Sequence, residues 1–177
     1  KNYLREWRAN PKFSAGGNFI EHGIHLIDLL RWFIGDPITI SLASSNIINK
    51  KRKLDQDVMA ILKFKNKSIA SLHTSLNQWE NRFLIEIYGE FQYIEVSGIS
   101  GSYGNQKVKL GSKKSTGPFE YKYFDFRISD NSWANEWQHF KNVIKGKEKL
   151  IGDAYDAYKA MKISEAAYRS EKFLKKI

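Results

Sequence analysis

The 177-residue chain has no cysteine, which excludes disulfide bonds and thiolate metal sites and suits a reducing cytoplasm. No apolar run approaches the roughly 20 residues that cross a bilayer, and no stretch has the charged start and apolar run of a signal peptide, so no membrane partner is expected. No Pro-, Gly- or Ser-rich linker divides the sequence and no repeat is visible, so residues 1–177 read as a single domain. Dinucleotide and phosphate fingerprints are missing too. Gly98-Ile-Ser-Gly101-Ser-Tyr-Gly104 lacks the G-x-G-x-x-G spacing, and strand-like Gln-Lys-Val-Lys-Leu follows where a helix would be required. The segment from Gly111 to Gly117 lacks the Walker A order and reads as a loop. No second His/Asp pair stands at ligand spacing to complete a metal site around Glu21 and His25.

What the chain does have is apolar substance, at 42% hydrophobic and 14% aromatic, enough for a sizeable core. It also carries a net charge of +10. Nucleic acid is nevertheless not the expected partner. The only tight basic cluster is Lys50–Lys53, the other lysines are scattered among acids, and no nucleic-acid-binding signature accompanies them. A solvated lysine-rich surface accounts for the charge, with attraction of an anionic substrate as a secondary reading.

Between Gly16 and Gly35 the sequence predicts a helix over about 18–34, with Leu26, Leu29, Leu30 and Phe33 as its apolar face. Glu21, His25 and Asp28 follow at steps of four and three, on one face of that helix. Each also has a plain structural reading. Asn18 and Glu21 stand in the capping-box relation, His25 could be a core histidine, and Asp28 could pair with His25 or Arg31. The paired glycines in front allow close backbone approach and favour a site. His22 points off the stripe, and His73 and His139 lack a nearby acid pattern, so they are read as structural or surface residues.

Downstream, strands are expected at 38–48, 58–64, 69–76, 83–88, 93–96, 107–110 and 119–126, mostly joined by short connections. Helices are expected at about 133–145, capped by Ser132, and 153–173. The fold class is therefore α+β, a largely antiparallel open-faced sheet with helices on one face and the other face free to pair with another subunit. Asn77, Gln78, Trp79 and Asn81 fall in a strand-to-strand loop whose amides and indole suit sugar hydroxyls and C–H faces, or form an ordinary turn.

The run from Ala15 to Pro37 resembles the GGG-x-x-x-D-x-G-x-H-x-x-D segment of the Gfo/Idh/MocA family of NAD(P)-dependent sugar and polyol oxidoreductases, where it opens the C-terminal substrate domain. His25 falls on the family histidine, Glu21 on its usual aspartate and Asp28 on the following acid; Ala15 replaces the first glycine and Glu21 is the longer acid. The segments 6–11, 77–90, 98–104 and 130–133 resemble one branch of that family in the same order. The resemblance implies a cytoplasmic enzyme with NAD or NADP held mainly by an N-terminal Rossmann domain, which these residues do not contain. It implies a sugar, polyol or sugar-nucleotide substrate, a homodimer or tetramer formed through the sheet face, and a link to surface polysaccharide biosynthesis. His25 would be the acid/base and Glu21 its orienting partner, with Asp28, Arg8, Trp7, Asn77 and Trp79 binding substrate. The alternative is a catalytically silent carbohydrate-binding or assembly module of the same fold. Because the chain begins at Lys1 and lacks a dinucleotide site, it is expected to be the C-terminal part of a longer enzyme.

Overall fold

The computed structural model describes residues 7–47, 54–114, 116–126 and 130–173. The basic cluster at 50–53, the end of the first expected strand at 48 and Glu6 of the first family-like segment lie outside them. The chain folds as two compact units, one made of residues 1–77 with 151–177 and the other of 78–150.

In the first unit a five-residue π-helical turn, Phe19–Gly23, runs into helix α1, Ile24–Ile34. Strands β1 (Pro37–Ser45), β2 (Asp57–Phe64) and β3 (Ile69–Ser75) follow as an antiparallel meander in the order β1-β2-β3. Its last helix, α3 (Ala154–Glu171), packs on β1 and α1. The alternation of β2 explains why this sheet has two unlike faces: Val58, Ala60, Leu62 and Phe64 are buried, while Met59, Ile61 and Lys63 are exposed. The core joins those side chains to Phe19, Ile27, Leu42 and Leu72 and to Ala160 and Ala167 of α3. Small residues at 160, 164 and 167 form the buried stripe of α3 and let the helix lie close to its neighbours. The edge of β1 is covered from α3: the Leu42 amide donates to Ser170 Oγ at 3.0 Å, and the Ser44 amide to Glu171 Oε1 at 2.7 Å.

In the second unit β4 (Leu84–Tyr88), β5 (Gln92–Ser97), β6 (Gln106–Ser112) and β7 (Glu120–Phe126) form an antiparallel meander, followed by helix α2, Ser132–Ile144. One face of this sheet carries Ile85, Ile87, Ile94, Val96, Val108 and Leu110. The other carries Glu86, Tyr88, Tyr93, Glu95, Tyr121 and Tyr123 around Lys109, whose Nζ lies 4.4 Å from the centre of the Tyr121 ring. Tyr93 donates to Glu86 Oε1 at 3.0 Å, and its hydroxyl is held protonated above its ordinary pKa, chiefly by its hydrogen bond to Glu95.

The α+β class, the seven strands and the antiparallel pairing are those the sequence indicates, but the hydrogen-bonded ladder breaks after β3 and yields two sheets. The glycine-rich segment 98–104 connects β5 to β6. Gly98 has φ +72°, and a Cβ there would sit 2.2 Å from the Asn105 carbonyl oxygen, so glycine is required for this tight turn between antiparallel strands. The cap of α2 is also not the expected one. Ser132 lies inside the helix, and its amide donates to Asp130 Oδ1 at 2.9 Å, which helps hold the Asp130 carboxyl below its usual pKa. A capping box does occur, on α3, between Asp153 and Asp156.

Candidate functional site

The start of the site helix is held from far along the chain. Asp55 accepts from the Gly17 amide at 3.0 Å and the Phe19 amide at 2.7 Å, and Tyr168 on α3 donates its hydroxyl to the same carboxylate at 2.8 Å. Burial and the charge of Asp55 both push the Tyr168 pKa up, so this hydroxyl remains a donor. The Phe19 and Tyr168 rings meet edge to face, 5.5 Å apart. A Cβ on Gly17 would stand 2.1 Å from the Asp55 carbonyl oxygen, so the close approach that the paired glycines permit is to the protein's own backbone.

With Asp55 serving as cap, the Asn18–Glu21 capping box does not form. Asn18 is helical and makes no side-chain cap; its Oδ1 lies 2.8 Å from His22 Nδ1. Glu21 instead accepts from Arg8 Nη1 at 2.6 Å, its side chain 20% exposed against 45% for Arg8. Arg8 sits with Trp7 in a short 3₁₀ turn, Trp7–Ala9, and Trp7 is exposed.

His25 lies on the first turn of α1 with an exposed side chain, which sets aside the core-histidine reading. Together with Asp28, Leu29, Arg31, Trp32, Ile151, Gly152 and Asp156 it lines a hollow of about 420 Å³, a size typical of small-molecule sites. Glu21 is not among the residues lining it. Asp28 pairs with Arg31, Oδ1 to Nη1, at 3.1 Å. Arg31 also reaches Asp36 at 2.8 Å and Asp156 at 3.2 Å. Burial opposes the charge of Arg31, but the hydrogen bonds and charges of Asp36 and Asp156 outweigh it, so its pKa stands above the ordinary value. This cluster ties α1 to the first turn of α3 and fixes one wall of the hollow.

The loop candidates divide between the units. Asn77 belongs to the first; its amide donates to Ser75 Oγ at 3.0 Å, and its buried Oδ1 has no hydrogen-bond partner. Trp79 belongs to the second and is fully exposed, and Asn81 there donates to Ser102 Oγ at 2.7 Å. Two histidines read as lacking acids do have them. His73 Nε2 lies 2.7 Å from Asp57 Oδ1, and His139 Nδ1 lies 2.6 Å from Glu148 Oε2. The first pair is diagonal across the β2–β3 ladder, a relation invisible to a search along the sequence.

Sequence reasoning missed Arg31, Trp32 and Asp156 as site neighbours. The signal for two of them was present, since Trp32 follows His25 by seven residues and Asp28 by four, and Arg31 follows Asp28 by three. No group of three His, Asp or Glu residues able to hold a metal occurs among the described residues, and no described helix is long and apolar enough to cross a membrane. Among the described residues, the glycine-rich segment 98–104 does not fit a dinucleotide cradle: it joins two antiparallel strands, whereas phosphate binding needs a strand-to-helix turn whose amides face the anion.

These features accord with the comparisons. The chain belongs to the GFO/IDH/MocA C-terminal domain family, whose model matches residues 2–95. Three solved structures share its fold. Levoglucosan dehydrogenase, in complex with NADH and levoglucosan, superposes with a TM-score of 0.80 at 17% identity, over 97% of this chain and 52% of that one. The aldose-aldose oxidoreductase of Caulobacter crescentus gives 0.73 at 18% identity, over 96% and 49%. The UDP-N-acetylglucosamine 3-dehydrogenase of Acidithiobacillus ferrooxidans gives 0.71 at 18% identity, over 86% and 48%. The chain thus spans about half the length of each of these enzymes, and at such identities the likeness is one of fold. No curated protein sequence matches the chain.

Proposed function

We propose that this chain is the substrate-binding and oligomerisation domain of an NAD(P)-dependent sugar or polyol dehydrogenase, with the dinucleotide bound mainly by a Rossmann domain outside these 177 residues. The observation that carries the reading is His25, solvent-facing, lining the hollow and at the position of the family's histidine. Structural relatives that are sugar or sugar-nucleotide dehydrogenases support the substrate class. Hydride exchange with a nicotinamide is chemistry the cofactor brings; the share of this chain is the substrate and its proton. His25 removes the proton from the reacting hydroxyl, or returns it, a task suited to a group whose ordinary pKa lies near working pH. Glu21, held by Arg8, accepts a neighbouring hydroxyl and orients the ring, with Asp28, Trp7 and Asn77 as further substrate contacts. The exposed apolar sheet faces support assembly as a dimer or tetramer in the cytoplasm, and surface polysaccharide biosynthesis is a setting consistent with sugar-nucleotide relatives.

Steady-state kinetics on the full-length protein, with NAD⁺ or NADP⁺ and a panel of sugars and polyols, test the reading. His25→Ala should lower kcat by about 10²–10⁴-fold, and Glu21→Gln should lower it without a fall in melting temperature. Full turnover in His25→Ala overturns the assignment. Sugar binding with no turnover in the unmodified protein favours the silent carbohydrate-binding module.

A further inference from the structure

We propose that the hollow beside His25 is a subsite for a second, non-reacting and uncharged sugar ring, with Trp32 as its stacking platform. The proposal rests on the reading of the chain as a sugar-binding domain and names the ligand class more narrowly.

Position comes first. Trp32 follows His25 by two helical turns on the same face of α1, roughly 10 Å along the axis. A ligand whose reacting carbon lies at His25 reaches the indole only if it carries a further ring. Trp32 is 75% exposed while lining the hollow, and Phe33 stacks on it at 5.6 Å with an interplanar angle of 14°. Phe33 does not line the hollow, so the indole is braced by a neighbour that takes no part in the lining. Such a ring offers an apolar face to the C–H side of a pyranose.

Charge then decides which kind of ring. The lining carries the carboxylates of Asp28 and Asp156, and among the described residues Arg31 is its one permanent cation beside His25. That guanidinium is already shared among Asp28, Asp36 and Asp156, donates also to the Asp156 carbonyl, and is only 10% exposed. It has little left with which to grip a phosphate. The carboxylates accept hydrogen bonds from hydroxyls and repel a diphosphate, so the hollow favours a neutral glycosyl unit over a nucleotide, whatever the +10 charge of the whole chain suggests. Binding such a remote ring supplies energy that can be used to align the reacting one.

Calorimetry and saturation-transfer NMR on the full-length protein, with cellobiose, glucose and UDP as probes, provide the test. Cellobiose should bind about tenfold more tightly than glucose, a stacking-sized difference. Trp32→Ala should remove that advantage and leave glucose binding unchanged, while Trp32→Phe should keep most of it. UDP should not compete. Equal cellobiose affinity in Trp32→Ala, absence of any disaccharide advantage, or displacement of cellobiose by UDP would each overturn the proposal. Turnover is not needed for this readout. Cellobiose binding that depends on Trp32, in a protein that never reduces NAD⁺ or NADP⁺, would sink the dehydrogenase reading and leave the subsite standing.

Discussion

The two units are built from the same kind of antiparallel meander, yet only one has a core. Every fully buried apolar side chain among the described residues belongs to the first unit, where α1 and α3 cover one face of β1-β2-β3. In the second, β7 is exposed at all seven positions, and the apolar side chains of β4–β6 are partly buried or exposed, none of them fully buried. Sheet hydrogen bonds alone are marginal, because the peptide groups they pair were already satisfied by water. The first unit therefore has its own source of stability. The second has no such core among the described residues, and this contrast supports the proposed assembly through the sheet.

The contrast can be broken most directly in the core. Phe19→Ala should cost about 3–5 kcal/mol, whereas Ile94→Ala should cost less, under about 2 kcal/mol, because a partly exposed side chain has less transfer energy to lose. Chemical denaturation of the two variants side by side checks this, and equal losses would erase the distinction. Next in size, Gly17→Ala should cost about 1–3 kcal/mol as Asp55 is pushed aside; a melting temperature equal to that of the parent would show that the approach can relax. A smaller, pH-dependent effect lies in Asp36. Hydrogen bonds from Lys159 and then Arg31 hold its carboxyl below the ordinary value of 3.8. A depressed folded pKa means that the contribution is complete above about pH 4 and is lost as the pH falls through the lower folded value. Asp36→Asn should thus narrow the gap between denaturation midpoints at pH 5 and pH 3, and an unchanged gap would place the acid sensitivity elsewhere. Smallest of all, His25→Ala should change stability by less than about 0.5 kcal/mol, as for an exposed position; a thermal melt showing a large drop would return His25 to a structural role.

Much of this was legible in the sequence. The strand expected over 58–64 appears as β2 and the helix expected over 18–34 is present, but its buried face is turned: Leu26 and Leu30 do pack on the core, whereas the fully buried residue is Ile27 and Phe33, expected on the apolar face, is 53% exposed. What escaped was whatever depends on contacts across the chain. The π turn at 19–23 inserts one residue into the helical repeat and leaves no local periodic trace. The cap of that turn is Asp55, 38 positions from Gly17, whereas capping rules search only the neighbouring four. Strand propensity marks β3 and β4 alike, but not that the ladder stops between them. Within the site, the spacing pointed to His25 and Asp28, while the pairing of Glu21 with Arg8 required a fold that returns the segment before the glycines to the helix.

The knot at Asp55 also bears on the order in which the molecule is made. Gly17 and Phe19 leave the ribosome before Asp55, and Tyr168, which completes the carboxylate's hydrogen bonds, lies a further 113 positions on. Closing so long a loop carries an entropic cost that no local contact offsets. The first turn of the His25 helix consequently reaches its final form only once residue 168 has been made, and a chain stopped before it would bear the candidate site on a helix with one of its anchors missing.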